Sequence, residues 1–361
     1  MASAAAPPPA PAVLAALQRA GVACSTCSDA PSFSSDAPHI DHPAALLRAW
    51  ARQDVDMQST MLGSTTPFGT HILVASGQRD WAHDAAGEAT EAGAVLRALQ
   101  ALPTAAATPA SAPQQQQEQQ QACIEGVWRA AHHTRRVLTA SSALALHEQG
   151  GQTSVMLFPH WTALSPLTPH NVAAAAPWLA GETQALKPPQ QAGVARMVLP
   201  YTAVVLLCSH KKRDVRCHLS ASLLSEHLRH VAEAAGWEVD ERGDFALPSS
   251  SFPSSSSSSP SDDDDAATSQ GLARAADGAY EGRGWGYIHE AAPAAPQLRA
   301  WRRRAAAARG ERGEQEPKKL GMFYCSHIGG HRYAANMICY FPNGAGVWYG
   351  RLDPVKDAAR V

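Results

Sequence analysis

No stretch of the chain approaches the ~20 consecutive apolar residues that a membrane helix requires, so a soluble protein without a membrane span is expected. Charge of one sign is missing too. Against 32 Asp and Glu stand 30 Lys and Arg, a formal net charge of −2, and no large field points to nucleic acid or a membrane surface. Cysteine is sparse: there are seven, an odd number, in 361 residues. That argues against a secreted disulfide scaffold and for a reducing compartment, where thiols are free to bind metal. A cytoplasmic location is therefore expected. The opening MASAAAPPPAPAVLAALQRAGVAC lacks the basic start and long apolar core of a secretory signal, and no acid precedes Asp29. An organellar transit peptide is the alternative, although Arg19 is the only basic residue in this stretch.

What is present begins with length. At 361 residues and 45% apolar, the chain can form two domains of ordinary size. Low-complexity stretches divide it: an Ala/Pro/Gln-rich one at about 101–121, a Ser/Asp-rich one from Pro248 to about Gln270, and an Ala/Arg/Glu-rich one from Ala291 to Lys319. None can bury enough apolar surface to offset its ordering entropy, so each reads as a disordered insertion. The resulting division is a disordered or targeting segment over 1–22, an N-terminal α/β domain over 23–195 interrupted at about 101–121, and a second domain over 196–361 interrupted at about 243–318.

Within those blocks, THILVAS (Thr70–Ser76), SVMLF (Ser154–Phe158) and LGMFY (Leu320–Tyr324) read as strands and AVVLL (Ala203–Leu207) as a buried one. Gly87–Ala101 reads as a helix with Val95, Leu96 and Leu99 at helical spacing, and Leu219–Trp237 as an amphipathic one with Leu223, Leu224, Leu228 and Val231 as its stripe. NMICYF and AGVWYG flank Asn343-Gly344, a strong hairpin signal. The pattern is that of an α/β (α+β) protein. The sequence ends soon after Asp353-Pro354, a plausible helix start, which suggests a shortened chain.

Two loops carry the chemistry. Cys208-x8-Cys217 follows one strand-like run and His327-x3-His331 follows another, offering two thiols and two imidazoles to a soft or borderline metal centre. Structural zinc uses the same ligand types, and His-x3-His fits zinc spacing. Cys-x8-Cys does not, because paired zinc cysteines stand closer together. A longer loop suits an iron–sulfur cluster, whose two irons and sulfides need more room. Two glycines between the histidines disfavour a helix by ~1 kcal/mol each, and no Glu follows His327 as a His-Glu-x-x-His hydrolase would demand. The residues alone leave zinc and iron–sulfur both open.

The segments VVLLCSHKKRDVRC and CSHIGGHRYAAN, with MLGSTTPFGTHILVASGQRDW (Met61–Trp81), LFP (Leu157–Pro159) and Cys24-x2-Cys27, make the chain similar to the sucrase/ferredoxin-like family. The resemblance implies a C-terminal thioredoxin-like ferredoxin domain with a [2Fe–2S] cluster, and Cys208, Cys217, His327 and His331 occupy the matching ligand positions. It implies an electron carrier or redox sensor working with a redox partner protein (a reductase or an acceptor), not an enzyme with substrate chemistry of its own. Nothing supports sucrase activity, since no carboxylate pair is placed for glycoside hydrolysis.

Other residues carry weaker signals. His210 and His218 flank the cysteines as substitute ligands, and Lys211, Lys212, Arg213 and Arg216 make a basic loop that is solvated, docks an acidic electron-transfer partner or tunes the cluster by hydrogen bonding. Cys325 reads as a packed thiol near the site, Cys339 as core, and Cys123 has no evident partner. Cys24 and Cys27 are either structural or a dithiol centre, and His39, Asp41 and His42 could complete a metal site with them. A zinc-stabilised thioredoxin-like interaction module and a thiol–disulfide oxidoreductase acting through Cys24 and Cys27 thus remain as alternatives.

Overall fold

AVVLLC at 203–208 is apolar on both faces, as a strand buried between layers must be, and in the computed structural model every residue of this strand is buried. The structure describes residues 42–59, 61, 64, 68–102, 137–144, 153–179, 193–243, 288–289, 318–342 and 346–354. Among these residues eleven strands form one mixed sheet: β1 Thr70–Ala75, β2 Val137–Ser142, β3 Thr153–Phe158, β4 Thr162–Leu167, β5 Ala195–Val198, β6 Ala203–Cys208, β7 Glu238–Asp240, β8 Ile288–His289, β9 Lys319–Cys325, β10 Met337–Tyr340 and β11 Gly346–Tyr349. Among the described residues four α-helices accompany them: α1 Ala44–Ala51, α2 Glu91–Ala101, α3 Val172–Leu179 and α4 Val215–Ala234. The fold is α/β.

The strand order is β5-β4-β3-β1-β2-β9-β6-β10-β11-β8, with β7 on β9. In the second half, β6 runs parallel to β9, while β10 is antiparallel to β6 and to β11. A single pair, Ser142 with Cys325, joins β2 to β9 and so unites the halves. Alternation then sorts the side chains. Ile72 and Val74 pack under α2, and Val205, Leu207 and Met322 pack under α4. Leu73, Ala75, Val204, Leu206, Phe323 and Cys325 point the other way into a core shared by both halves. The His71 Nδ1 lies 2.9 Å from the Tyr340 hydroxyl, and Tyr340 stacks on Phe158 at 4.4 Å. β1 and β10 are four strand spacings apart in the order, ~19 Å on a flat sheet; the sheet must curl to bring them together.

The strands expected at 70–76, 154–158, 203–207 and 320–324 are present with ends shifted by a residue or so. β10 and β11 pair as the hairpin pattern predicts, with the Asn343-Gly344 turn itself outside the described residues. Two helices begin elsewhere than expected. α2 starts at Glu91 because the Thr90 hydroxyl accepts from Gly93 N, after a separate 3-10 turn at Ala85–Gly87. α4 starts at Val215, four residues earlier than its apolar stripe suggests, because the Asp214 carboxylate caps it by accepting from Arg216 N. Leu223, Leu224 and Leu228 face the core, whereas Val231 is only half-buried. The three low-complexity stretches fall almost wholly outside the described residues.

Candidate metal centre

β6 and β9 pair in parallel register through Cys208 and Cys325, so both chains leave the sheet at the same edge. Beyond β6 the backbone turns at 209–214 and enters α4, which places Cys217 in the first helical turn. Cys208 and Cys217 are 1% and 0% exposed. The two sulfurs interact: a hydrogen bond with Cys208, then burial, pushes the Cys217 thiol far above its ordinary range, while a hydrogen bond with His331 pulls the other way. The second strand end is fixed differently. Ser326 N donates to Ser141 O at 2.8 Å, and Asn336 Nδ2 donates to the carbonyls of Gly329 and Gly330 at 3.0 and 2.9 Å. Gly330 has φ 70°, and a Cβ there would meet Trp348 Cζ2 at 2.2 Å. Only glycine lets the loop lie flat on that indole. The loop leads into a 3-10 turn at His331–Tyr333, and the rings of His327 and His331 stack with centroids 3.7 Å apart and planes 3° apart.

The two imidazoles differ electrostatically. The Asp214 carboxylate, then Cys217, raises His331 to about 9. Burial, then the neighbouring His331, lowers His327 to about 3. Asp214 Oδ2 stands 3.4 Å from His331 Nδ1, long for a hydrogen bond, and 2.8 Å from an Arg216 terminal nitrogen. Burial pushes the Asp214 carboxyl up, but the neighbouring His331 ring and the hydrogen bonds from Arg216 outweigh that and hold it well below the usual carboxylate range. Arg216 also donates to the His331 carbonyl at 2.9 Å, and Arg213 Nε donates to His331 Nε2 at 3.2 Å. Asp214 is the residue the sequence left unmarked, whereas Arg213 was marked there as part of the basic loop. The signal for Asp214 was its place as a helix cap just ahead of Val-Arg-Cys.

The structure thus brings Cys208, Cys217, His327 and His331 together. Among the described residues no three His, Cys, Asp or Glu side chains are arranged to grip a single ion. The donors stand instead as a thiol pair beside an imidazole pair, in touch through Cys217 and His331. Structural zinc wants four donors around one point. A binuclear cluster takes two donors for each of two irons, and two thiols with two imidazoles are donor types that either centre accepts.

The remaining candidates are engaged elsewhere. His210 is buried, its Nε2 3.1 and 2.8 Å from the carbonyls of Trp81 and Ala82, and His218 Nδ1 lies 3.3 Å from the Ser209 carbonyl. Cys325 is buried beside the site; burial, then Cys217, pushes its thiol up. Cys339 lies in the core under α4, and burial raises it to about 12. His42 pairs with Glu226 at 2.9 Å and packs on His227. Cys24, Cys27, His39, Asp41 and Cys123 lie outside the described residues.

A sequence model of the sucrase/ferredoxin-like family matches residues 61–359. No curated protein and no solved structure matches the chain.

Proposed function

The chain belongs to the sucrase/ferredoxin-like family, and on that footing we propose that it is a [2Fe–2S] electron-transfer or redox-sensing protein of the cytoplasm. Cys208, Cys217, His327 and His331 are its cluster ligands. The observation that carries this reading is the buried thiol pair set against the stacked imidazole pair. The strand order β11-β10-β6-β9, with β10 antiparallel to β6, supports a thioredoxin-like ferredoxin domain over the second half. Among the described residues no helix is long and apolar enough to cross a membrane.

When bound, the cluster supplies reversible one-electron chemistry. Cys208 would hold it from a strand end and Cys217 from a capped helix, both side chains being shut away from water. His327 and His331 would hold it from the glycine loop, where the His331 side chain keeps 34% exposure. Replacing two thiolates by neutral imidazoles lowers the negative charge of the centre and favours the reduced form. The outer ring nitrogens on the exposed side can exchange protons near neutral pH, which couples proton to electron. No residue is assigned to substrate chemistry, so the protein works as a carrier or sensor with a redox partner protein.

Electron paramagnetic resonance of the reduced protein, with a pH titration of its potential, tests this. A signal from one reducible iron with a potential that falls as pH rises is expected. A colourless protein would favour a zinc-stabilised module or a dithiol oxidoreductase working through Cys24 and Cys27. A potential that stays flat between about pH 6 and 9 would remove the two-histidine assignment.

A further inference from the structure

The site is closed on its thiol side and open on its imidazole side, where cations gather. Lys211, Lys212 and Arg213 are exposed there, and the Arg332 side chain, one residue past His331, is 63% exposed. Arg213 reaches the His331 ring itself. Acids are present too: Asp56 is shared between Arg332 and Arg351, Asp214 is tied to Arg216 and His331, Asp80 keeps its charge while accepting from the backbone N of Lys212, and Asp54 is exposed beside Arg216. The Lys211 and Lys212 ammonium groups form no ion pair among the described residues, which leaves the rim a positive excess.

Two apolar groups border the same segment. Of the exposed large hydrophobic side chains among the described residues, Met57 and Val215, at 65% and 44%, belong here, whereas Val137 lies at the far end of β2. Val215 sits between Asp214 and Arg216, the two residues that hold His331. Met57 follows Asp56, and its segment is clasped to the site because Arg216 donates to the Asp54 carbonyl at 2.8 Å and Asp56 N to the Arg332 carbonyl at 3.2 Å. An apolar centre within a charged rim is the anatomy of a protein interface.

We propose that this face, with Met57 and Val215 at its centre and Lys211, Lys212, Arg213 and Arg332 at its rim, docks an acidic protein that exchanges electrons with the site. The inference rests on the electron-transfer reading above. The exposed imidazole is where a partner can come nearest to the centre, and opposite charge at that point speeds encounter and sets orientation. One electron passes, the donor losing it and the site gaining it, with no bond made or broken.

Stopped-flow oxidation of the reduced full-length protein by anionic ferricyanide and by cationic tris(phenanthroline)cobalt(III) reads the sign of the face. Raising the ionic strength from low to high should slow the ferricyanide reaction about tenfold and quicken the cobalt one. The double variant Lys211→Glu/Lys212→Glu, still coloured, should reverse both trends. Calorimetry with an acidic flavodoxin as probe gives a readout that needs no turnover, and affinity should drop about tenfold in that variant and in Met57→Asp. Coloured protein with the same salt response to both reagents, or variants that bind as the parent does, overturns the docking face alone. A dimer in sedimentation that these variants abolish would give the face to a second copy, and would overturn it too. Colourless parent protein would instead take down the reading beneath it.

Discussion

The Asp214 carboxylate stands 3.4 Å from His331 Nδ1 while capping the helix that carries Cys217. One side chain thus ties the thiol arm of the site to its imidazole arm. Asp214→Asn keeps an oxygen for the cap but removes the charge that raises His331 to about 9. Proton NMR titration of the metal-free protein should then find His331 ionising nearer the ordinary histidine value of 6.5. An unchanged titration would show that Asp214 does not govern this ring.

Asp214→Ala removes the cap as well as the charge. It should destabilise the protein by about 1–3 kcal/mol more than Asp214→Asn, since Arg216 then loses its partner along with the helix end. Urea unfolding of the two variants decides this. Equal stabilities would mean that the cap contributes nothing.

The two loop glycines should respond unequally. Gly330→Ala places a methyl 2.2 Å from Trp348 Cζ2 at φ 70°, whereas Gly329 at φ 95° has open space around it. Gly329→Ala should therefore cost about 1 kcal/mol from backbone strain alone, and Gly330→Ala about 2–4 kcal/mol with disturbance of both histidines. Thermal unfolding of each variant provides the comparison. A Gly330→Ala protein as stable as Gly329→Ala would show that the loop is free to move off the indole.

Acid should unfold the protein by way of its buried imidazoles. Burial lowers His71 from 6.5 to about 3 in the folded state, so the unfolded chain binds this proton more readily than the folded one. The sign follows: its contribution is intact above 6.5 and shrinks as pH falls from 6.5 towards 3. The loss is up to about 1.4 kcal/mol per pH unit, read by urea unfolding at a series of pH values. His71→Gln, which cannot take up that proton, should flatten the slope over this range. A parental slope in that variant would assign the acid sensitivity elsewhere.

Much of this architecture was legible because single elements carry strong signals. AVVLL and LGMFY are short apolar runs that only a buried strand explains, and the Cys208-x8-Cys217 and His327-x3-His331 spacings pointed to the donors that the structure gathers. What was missed has physical reasons. β4 carries Pro166, which demotes a strand in any reading of single residues. β2, β5 and β7 owe their pairing to distant partners, such as Ser142 with Cys325. The early start of α4 depends on the Asp214 cap, not on the apolar stripe, and so Cys217 proved helical. The pairing of Asp214 with His331 joins residues 214 and 331, which no local pattern relates.

His331→Cys separates the roles of the two arms. A third thiolate makes the centre more negative, so the variant should stay coloured while its potential drops below that of the parent. Cyclic voltammetry on both proteins makes the comparison, and an unchanged potential would place His331 outside the ligand set.

The most direct measurement is metal and sulfide analysis of anaerobically purified full-length protein. Iron and acid-labile sulfide in equal amounts, with zinc absent, is the predicted result. Stoichiometric zinc without sulfide would contradict the account.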